Sequence, residues 1–411
     1  MFRNRHFVTL LTGQLVSTFG NNLFGIALPW FVYSVTASKA DLSLIGVAQS
    51  LPNLASLFTG VFVDRWSKRK TMLSADFIRV VLCVVLMAIS VVHASLWPIV
   101  LIVFLLQCVG SFFGPAAAAF VPLVVAEKDI PTAMGIEQSG SATAQLVGTL
   151  SGGVLLTLLG APLLFLFDGF SFLVSTVSLL LIRVKEYPAK SVEIHEKRSF
   201  FREFIGGIVM FQKSRFLLLT LVAALVVNFA TAPFDLVLTA WVKGPMHGSP
   251  IQLGIVNAAF FIGVILGGLV LGRIIKSISL RHLFLFSLVI AGICVMGMGL
   301  FASVIWDACL TVCIGFVIGS LNGGFSSVVI QSIPASLRGR AFGAIGALFS
   351  MMMPVGMAIA GFVMTHTTLT TVFCGMGAMS ILSGLTFCLP IREDLQAAFA
   401  PVEHMPSQVE G

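Results

Sequence analysis

The sequence predicts an all-α membrane protein, and three observations carry that prediction. Hydrophobic residues make up 57% of the 411 positions and charged residues only 10%, whereas a soluble domain needs about 25% charged residues to cover its surface. Mean hydropathy is +1.03, and the apolar residues fall in long continuous runs rather than short alternating strands. Those runs select helices over a barrel, since only these two structures satisfy their backbone in hydrocarbon. Lys and Arg are also one-sided. Of the 24, Lys39 and Lys243 fall on one side, Arg79 falls within a span, and the rest lie on the other side.

Twelve spans are expected, at about 8–33, 42–63, 71–92, 97–124, 135–159, 162–183, 216–242, 251–275, 281–302, 304–331, 341–365 and 369–390. The first follows Arg3 and Arg5 and runs to about Tyr33. It is too long for a signal-peptide core and lacks a small-x-small cleavage site, so it reads as a retained span. The turns at Gly160-Ala161-Pro162 and at Ser303 are so short that the helices they join must be antiparallel. The charge asymmetry places both termini in the cytoplasm of a bacterial cell (inner) membrane. The net charge of +7 then faces an anionic leaflet.

One long polar loop separates six spans from six. This gives an N-terminal bundle at 1–184, a cytoplasmic loop at 185–215, a C-terminal bundle at 216–391 and a cytoplasmic tail at 392–411. Within the loop, Phe201, Phe204, Ile205, Ile208 and Phe211 share one helical face opposite Arg202, Glu203 and Gln212, the pattern of an amphipathic helix at the membrane interface. The halves echo each other. Gly60 and Asp64-Arg65 end the second span, and Gly268 and Gly272-Arg273 end the eighth. Such a repeat implies two bundles related by an axis along the membrane normal.

Several function classes are excluded. The seven cysteines lie in apolar runs with no Cys-x-x-Cys pair, so they read as buried hydrophobes. No two histidines share a helix at ligand spacing, and neither a metal nor any other cofactor is expected. A phosphate-binding Gly-x-x-x-x-Gly-Lys-Ser/Thr string is absent, so nucleotide hydrolysis is not the driver. No basic domain interleaved with aromatics points to nucleic acid. An enzyme is not expected.

The strings that remain are specific together. They are Gly60-x-x-x-Asp64-Arg65-x-Ser67-Lys68-Arg69-Lys70, Ala75-Asp76-Phe77-Ile78-Arg79, Phe113-Gly114-Pro115-Ala116, Gly148-Thr149-x-x-Gly152-Gly153, Phe165-x-x-Asp168-Gly169-x-Ser171-Phe172, Ile333-Pro334-x-x-x-Arg338-Gly339-Arg340 and Pro354-Val355-Gly356. With them the chain resembles the major facilitator superfamily over its whole length. In particular it resembles the macrolide-efflux branch of drug exporters, itself similar to siderophore exporters. Ser67 stands where the family's loop motif has glycine, and Thr149 where its antiporter motif has proline. The resemblance implies a fold of two six-helix bundles. It also implies a latch in which Gly60, Asp64, Arg65 and Arg69 meet the start of the eleventh span at Arg338 and Arg340. Gly148, Gly152 and Gly153 would form a hinge.

The family pattern further implies a central cavity lined by spans one, four, seven and ten. At 1.5 Å per residue, Asn21 and Asn22 lie roughly 20 Å into span one, Gln107 about 15 Å into span four and Asn228 about 18 Å into span seven. Gln145 of span five is also near mid-depth. Uncharged amides at that depth need a partner or water. With Phe24, Phe112 and Phe229 they make a candidate site for bulky amphipathic molecules. Proton coupling needs a titratable group that alternates between water and burial, and the candidates are Asp235, Asp168 and Glu137. Asp76 and Arg79, at i, i+3 spacing, are expected to neutralise each other.

The expected function is alternating-access export of amphipathic, macrolide-like drugs from the cytoplasm in exchange for protons, by a monomer. Export of an endogenous siderophore or lipid-like metabolite is the alternative. A non-transporting scaffold or sensor is the alternative from another class.

Overall fold

The computed structural model describes residues 4–55, 66–92, 95–182 and 214–389, with positions 59, 63, 184, 206 and 208–212; the side chains at 127, 275, 276, 335, 336, 339 and 340 fall outside it. Thirteen helices are described: α1 (Arg5–Thr36), α2 (Lys39–Ser50), α3 (Lys68–Val91), α4 (Leu96–Val124), α5 (Ile130–Leu159), α6 (Ala161–Leu181), α7 (Arg215–Thr231), α8 (Phe234–Lys243), α9 (Pro250–Ser277), α10 (Leu280–Met298), α11 (Val304–Ser332), α12 (Ala335–His366) and α13 (Leu369–Leu385). Among the described residues, eleven segments are long and apolar enough to cross a membrane. The second expected span is described only in part, as α2 and a 3₁₀ turn at Leu51–Leu54.

Helix ends follow local chemistry. The Asn4 side chain caps α1 by accepting from the N–H groups of His6 and Phe7 at 3.1 and 3.3 Å. Ser249 and Gln252 close a capping box on α9, with Pro250 in its first turn. The expected fifth and eleventh spans start earlier than hydropathy placed them, at Ile130 and Ala335. Pro131 lies in the first turn of one helix and Pro334 caps the other, so each begins in polar sequence ahead of its apolar run. Gly160, with φ +76°, makes the one-residue reversal between α5 and α6.

The expected seventh span is two helices. It breaks at Thr231–Pro233, where Pro233 has no N–H to continue the ladder, and α8 restarts from the Pro233 carbonyl, which accepts from the Val237 N–H at 2.9 Å.

The ends of α1 near Asn4 and of α13 near Leu385 share one face, called here the terminal face; the opposite one is the far face. The two halves repeat a clamp at the terminal face. Arg69, at the start of α3, donates to the carbonyls of Leu179 and Leu180 at the end of α6 (2.9 and 3.0 Å). Arg281, at the start of α10, donates to the carbonyls of Phe387 and Cys388 just past α13 (2.6 and 2.9 Å). Both satisfy orphan carbonyls at a helix C-terminus, where positive charge is favoured.

Within the second half, α9 and α11 approach through Gly263 and Gly267 on one helix and Gly315 and Gly319 on the other. At each a Cβ would strike backbone atoms of the partner helix. Residues 208–212 are helical, and Phe211 is buried in a cluster with Phe216, Phe284 and Phe387. The described end of the expected amphipathic segment therefore packs against the second half. Phe201, Phe204 and Ile205 lie outside the described residues, as does the tail.

Candidate functional site

The halves meet at the far end. The Ser43 hydroxyl of α2 donates to the Met357 carbonyl of α12 at 2.6 Å, and Lys39 donates to the Thr367 carbonyl at 3.4 Å. The Lys243 ammonium contacts the Ser34 hydroxyl and sits over the Trp30 ring at 4.9 Å. Both lysines that the sequence isolates on the far side thus tie one half to the other. Beside them α5 and α9 touch through backbone, since a Cβ on Gly153 would lie 2.5 Å from the Pro250 carbonyl oxygen and 3.2 Å from the Gly254 Cα. Toward the terminal face, glycines of these helices meet no neighbour. Gly135 on α5, and Gly343 and Gly346 on α12, have nothing within 4 Å of where a Cβ would stand.

Between the halves lies a cavity of about 310 Å³. Asn21 and Asn22 of α1 supply amides to its wall, with Asn257 of α9 opposite; Thr149, Thr231 and Thr239 supply hydroxyls, and Phe234, Phe260 and Phe261 supply rings. Asp235 also lines it, exposed to the cavity in the first turn of α8 at the break in the seventh span. The positive end of that half-helix favours a carboxylate there. A second cavity, about 430 Å³, lies within the first half between α1, α3, α4 and α5. It reaches Ile130 at the terminal end of α5 and carries Arg79 and Glu137. Asn21 lines both cavities.

The expected substrate residues divide. Asn21 and Asn22 line the central cavity; the Asn22 amide N–H₂ donates back to the Thr18 carbonyl at 2.7 Å. Phe24 is buried in the first half, its ring 5.5 Å from that of Phe165. Phe112 stacks on Trp66 at 6.0 Å toward the terminal face. Gln107, Gln145, Asn228 and Phe229 are half-buried and belong to neither cavity wall, and the Asn228 Oδ1 is buried with no hydrogen-bond partner among the described residues. Of span four, α4 supplies Gly110, Phe113 and Gly114 to the second cavity.

Of the coupling candidates, Asp235 is in the central cavity, Glu137 in the second, and Asp168 is buried in α6 against Gly20 of α1. Of the expected hinge glycines, Gly148 packs on Phe19 and Asn22, Gly152 on Leu23 and Ile26, and Gly153 on the other half. Gly60, Asp64 and Arg65 and the side chain of Arg340 lie outside the described residues. Arg338 donates to the carbonyls of Ile330 and Ile333 of its own half.

Sequence reading missed Asn257, Phe260 and Phe261. The polar Asn257 in an otherwise apolar run was the available signal.

Two helical bundles closed at one end around a cavity with apolar walls and a few polar anchors are the architecture of a membrane transporter. The family model of the Major Facilitator Superfamily matches residues 10–352 and again 234–410, and the chain belongs to that family. It is a transporter and not an enzyme.

Among its relatives is macrolide efflux protein A of Streptococcus pyogenes, 23% identical over 86% of this chain and 88% of the relative. Another is the multidrug efflux pump Tap of Mycolicibacterium fortuitum, 24% identical over 95% and 97%. Solved structures of similar fold include the nucleoside transporter NupG, with a TM-score of 0.74 and 12% identity over 93% of this chain and 98% of that one. A bacterial homologue of the iron transporter ferroportin in an inward-facing state has a TM-score of 0.71 and 13% identity over 93% and 98%.

Proposed function

We propose that this protein exports amphipathic small molecules, cationic or neutral, from the cytoplasm in exchange for protons, by alternating access. The reading places the terminal face, with both chain ends, in the cytoplasm of a bacterial inner membrane, so that the far-end closure seals the outside and the structure is open inward. The halves, 1–184 and 216–391, rock about the α5–α9 and α2–α12 seams.

The observation that carries this reading is the single carboxylate, Asp235, in a wall otherwise made of amides, hydroxyls, phenyl rings and aliphatic side chains. Apolar walls hold an amphipathic body and the amides orient it. A carboxylate in a cavity with apolar walls favours a positive partner, and a cationic substrate or a proton supplies one in turn. That alternation is what exchange requires. A negatively charged siderophore would meet a like charge there, which disfavours the endogenous-anion reading. The central cavity is at the small end of ligand sites, about 300–1,000 Å³, and macrolide-sized cargo fills it together with the second cavity through Asn21. The efflux activity named for two relatives supports the direction.

The test is uptake of fluorescent lipophilic amines and macrolides into inside-out vesicles under an imposed pH gradient. Accumulation abolished by a protonophore is expected. If every compound of the panel equilibrates at the same rate with and without the protein, the reading fails.

A further inference from the structure

A charge cluster in the first half lies outside the central cavity. Arg79 of α3 has its Nη1 3.9 Å from the Asp76 Oδ1, and its guanidinium stacks on the Phe172 ring at 4.3 Å. The expected mutual neutralisation is incomplete as a count, because a second carboxylate is beside the pair: Asp168 lies one turn before Phe172 on α6, and Cys83, one turn after Arg79 on α3, has its Sγ 3.9 Å from the Asp168 Oδ2. Asp168 is 2% exposed, and Asp76 is fully buried with neither carboxylate oxygen hydrogen-bonded among the described residues. Two buried carboxylates therefore flank one cation, and an unmatched buried charge is costly.

Among the described residues, the neighbours supply no second cation. From α3, Cys83 Sγ lies 3.9 Å from the Asp168 Oδ2. From α6, the Ser171 hydroxyl reaches the Asp168 Oδ1 at 3.4 Å. From α1, the residue packed on Asp168 is Gly20, and from α4 Gly110 packs on Arg79. The titratable group across the second cavity is Glu137, a further acid.

The cluster is not sealed, because Arg79 forms part of the wall of the second cavity, which reaches the terminal end of α5. It is also linked to the substrate site. Gly20 sits on Asp168, and the next two residues of α1, Asn21 and Asn22, line the central cavity.

We infer that Asp76, Arg79 and Asp168 form a proton-binding site separate from Asp235: the two carboxylates hold one proton between them, exchanged with the terminal face through the second cavity and coupled to the substrate site through α1. No bond other than the O–H bond of one carboxyl forms or breaks. The inference deepens the exchanger reading, but its test does not depend on transport.

Infrared difference spectra of the purified full-length protein in lipid, recorded between neutral and alkaline pH, report a protonated carboxyl by its C=O stretch. The expected result is a band that Asp168→Asn or Asp76→Asn removes and Asp235→Asn leaves in place. Each swap removes a charge while conserving volume, and elution as a single species checks folding. Arg79→Gln leaves two carboxylates with no cation and is expected to double the band. A band unaltered by both Asp76→Asn and Asp168→Asn, or no band at all with Arg79→Gln unchanged, overturns the inference. Tetraphenylphosphonium transport in the same preparations reports separately on the exchanger reading: a cluster band with no gradient-driven transport sinks that reading and leaves the proton site standing.

Discussion

Replacing Gly153 by alanine places one carbon between two backbones that already touch. The added Cβ would lie 2.5 Å from the Pro250 carbonyl oxygen, 3.1 Å from the Ile251 Cα and 3.2 Å from the Gly254 Cα. All three are backbone atoms of α9, so no side chain can rotate away. Carbon–carbon contact prefers about 3.5–4.0 Å, and α5 and α9 must separate by a few tenths of an ångström or more. Overpacking of this kind costs about 1–3 kcal/mol. The cost falls only on the state in which the far end is closed. Shared between two arrangements, it shifts their ratio about 5–150-fold toward the one with the far end open. Electron-electron double resonance between spin labels at the exposed far-end positions 35 and 366, in a background without native cysteines, measures that ratio. Gly153→Ala is expected to raise the long-distance population at least fivefold. Gly268→Ala, on α9 with nothing within 4 Å of the new carbon, is the control and is expected to change nothing. A Gly153→Ala distribution identical to the control would refute the claim that the α5–α9 seam holds the far end shut.

Lys243→Met removes both the contact with Ser34 and the charge over Trp30, and is expected to shift the same distance distribution in the same direction, more so combined with Lys39→Met. Asp235→Asn is expected to abolish the dependence of cation export on the pH gradient while leaving the far-end distances unchanged; drug accumulation in vesicles with and without the gradient checks it. Asn257→Leu is expected to raise the half-saturating substrate concentration about 5–10-fold, as loss of one hydrogen bond of about 1 kcal/mol implies, with maximal rate preserved in initial-rate assays. Arg281→Gln leaves the carbonyls after α13 without their charged donor, and a fall in melting temperature similar to that of Arg69→Gln is expected, because the two clamps are equivalent.

Much of this protein was legible in its residues. The apolar runs located the helices, and the placement of Lys and Arg defined two unlike faces. Asn21, Asn22 and Asp235 stood out because a polar group in hydrocarbon is costly and so has a reason to be there. Asn257 carried the same signal but was passed over, because the family pattern directed attention to spans one, four, seven and ten. Gln107 and Gln145 carried it too, yet line neither cavity. The difference lies in which face of each helix turns inward, and that is invisible where a helix is apolar on every side. Phe24 and Phe112 illustrate the same limit, one packed on Phe165 and the other on Trp66.

Composition and charge determined that this chain crosses a membrane many times and with what asymmetry, since water, lipid and the leaflet act on each segment alone. Only the tertiary structure decided that the seventh span breaks so as to set Asp235 in the cavity, that Asp168 lies beside the Asp76–Arg79 pair, and that two far-side lysines bridge the halves. These pairings join residues up to 328 positions apart in the chain. They depend on helix rotation and tilt, which close backbone contact at glycines fixes and which no local property of the sequence encodes.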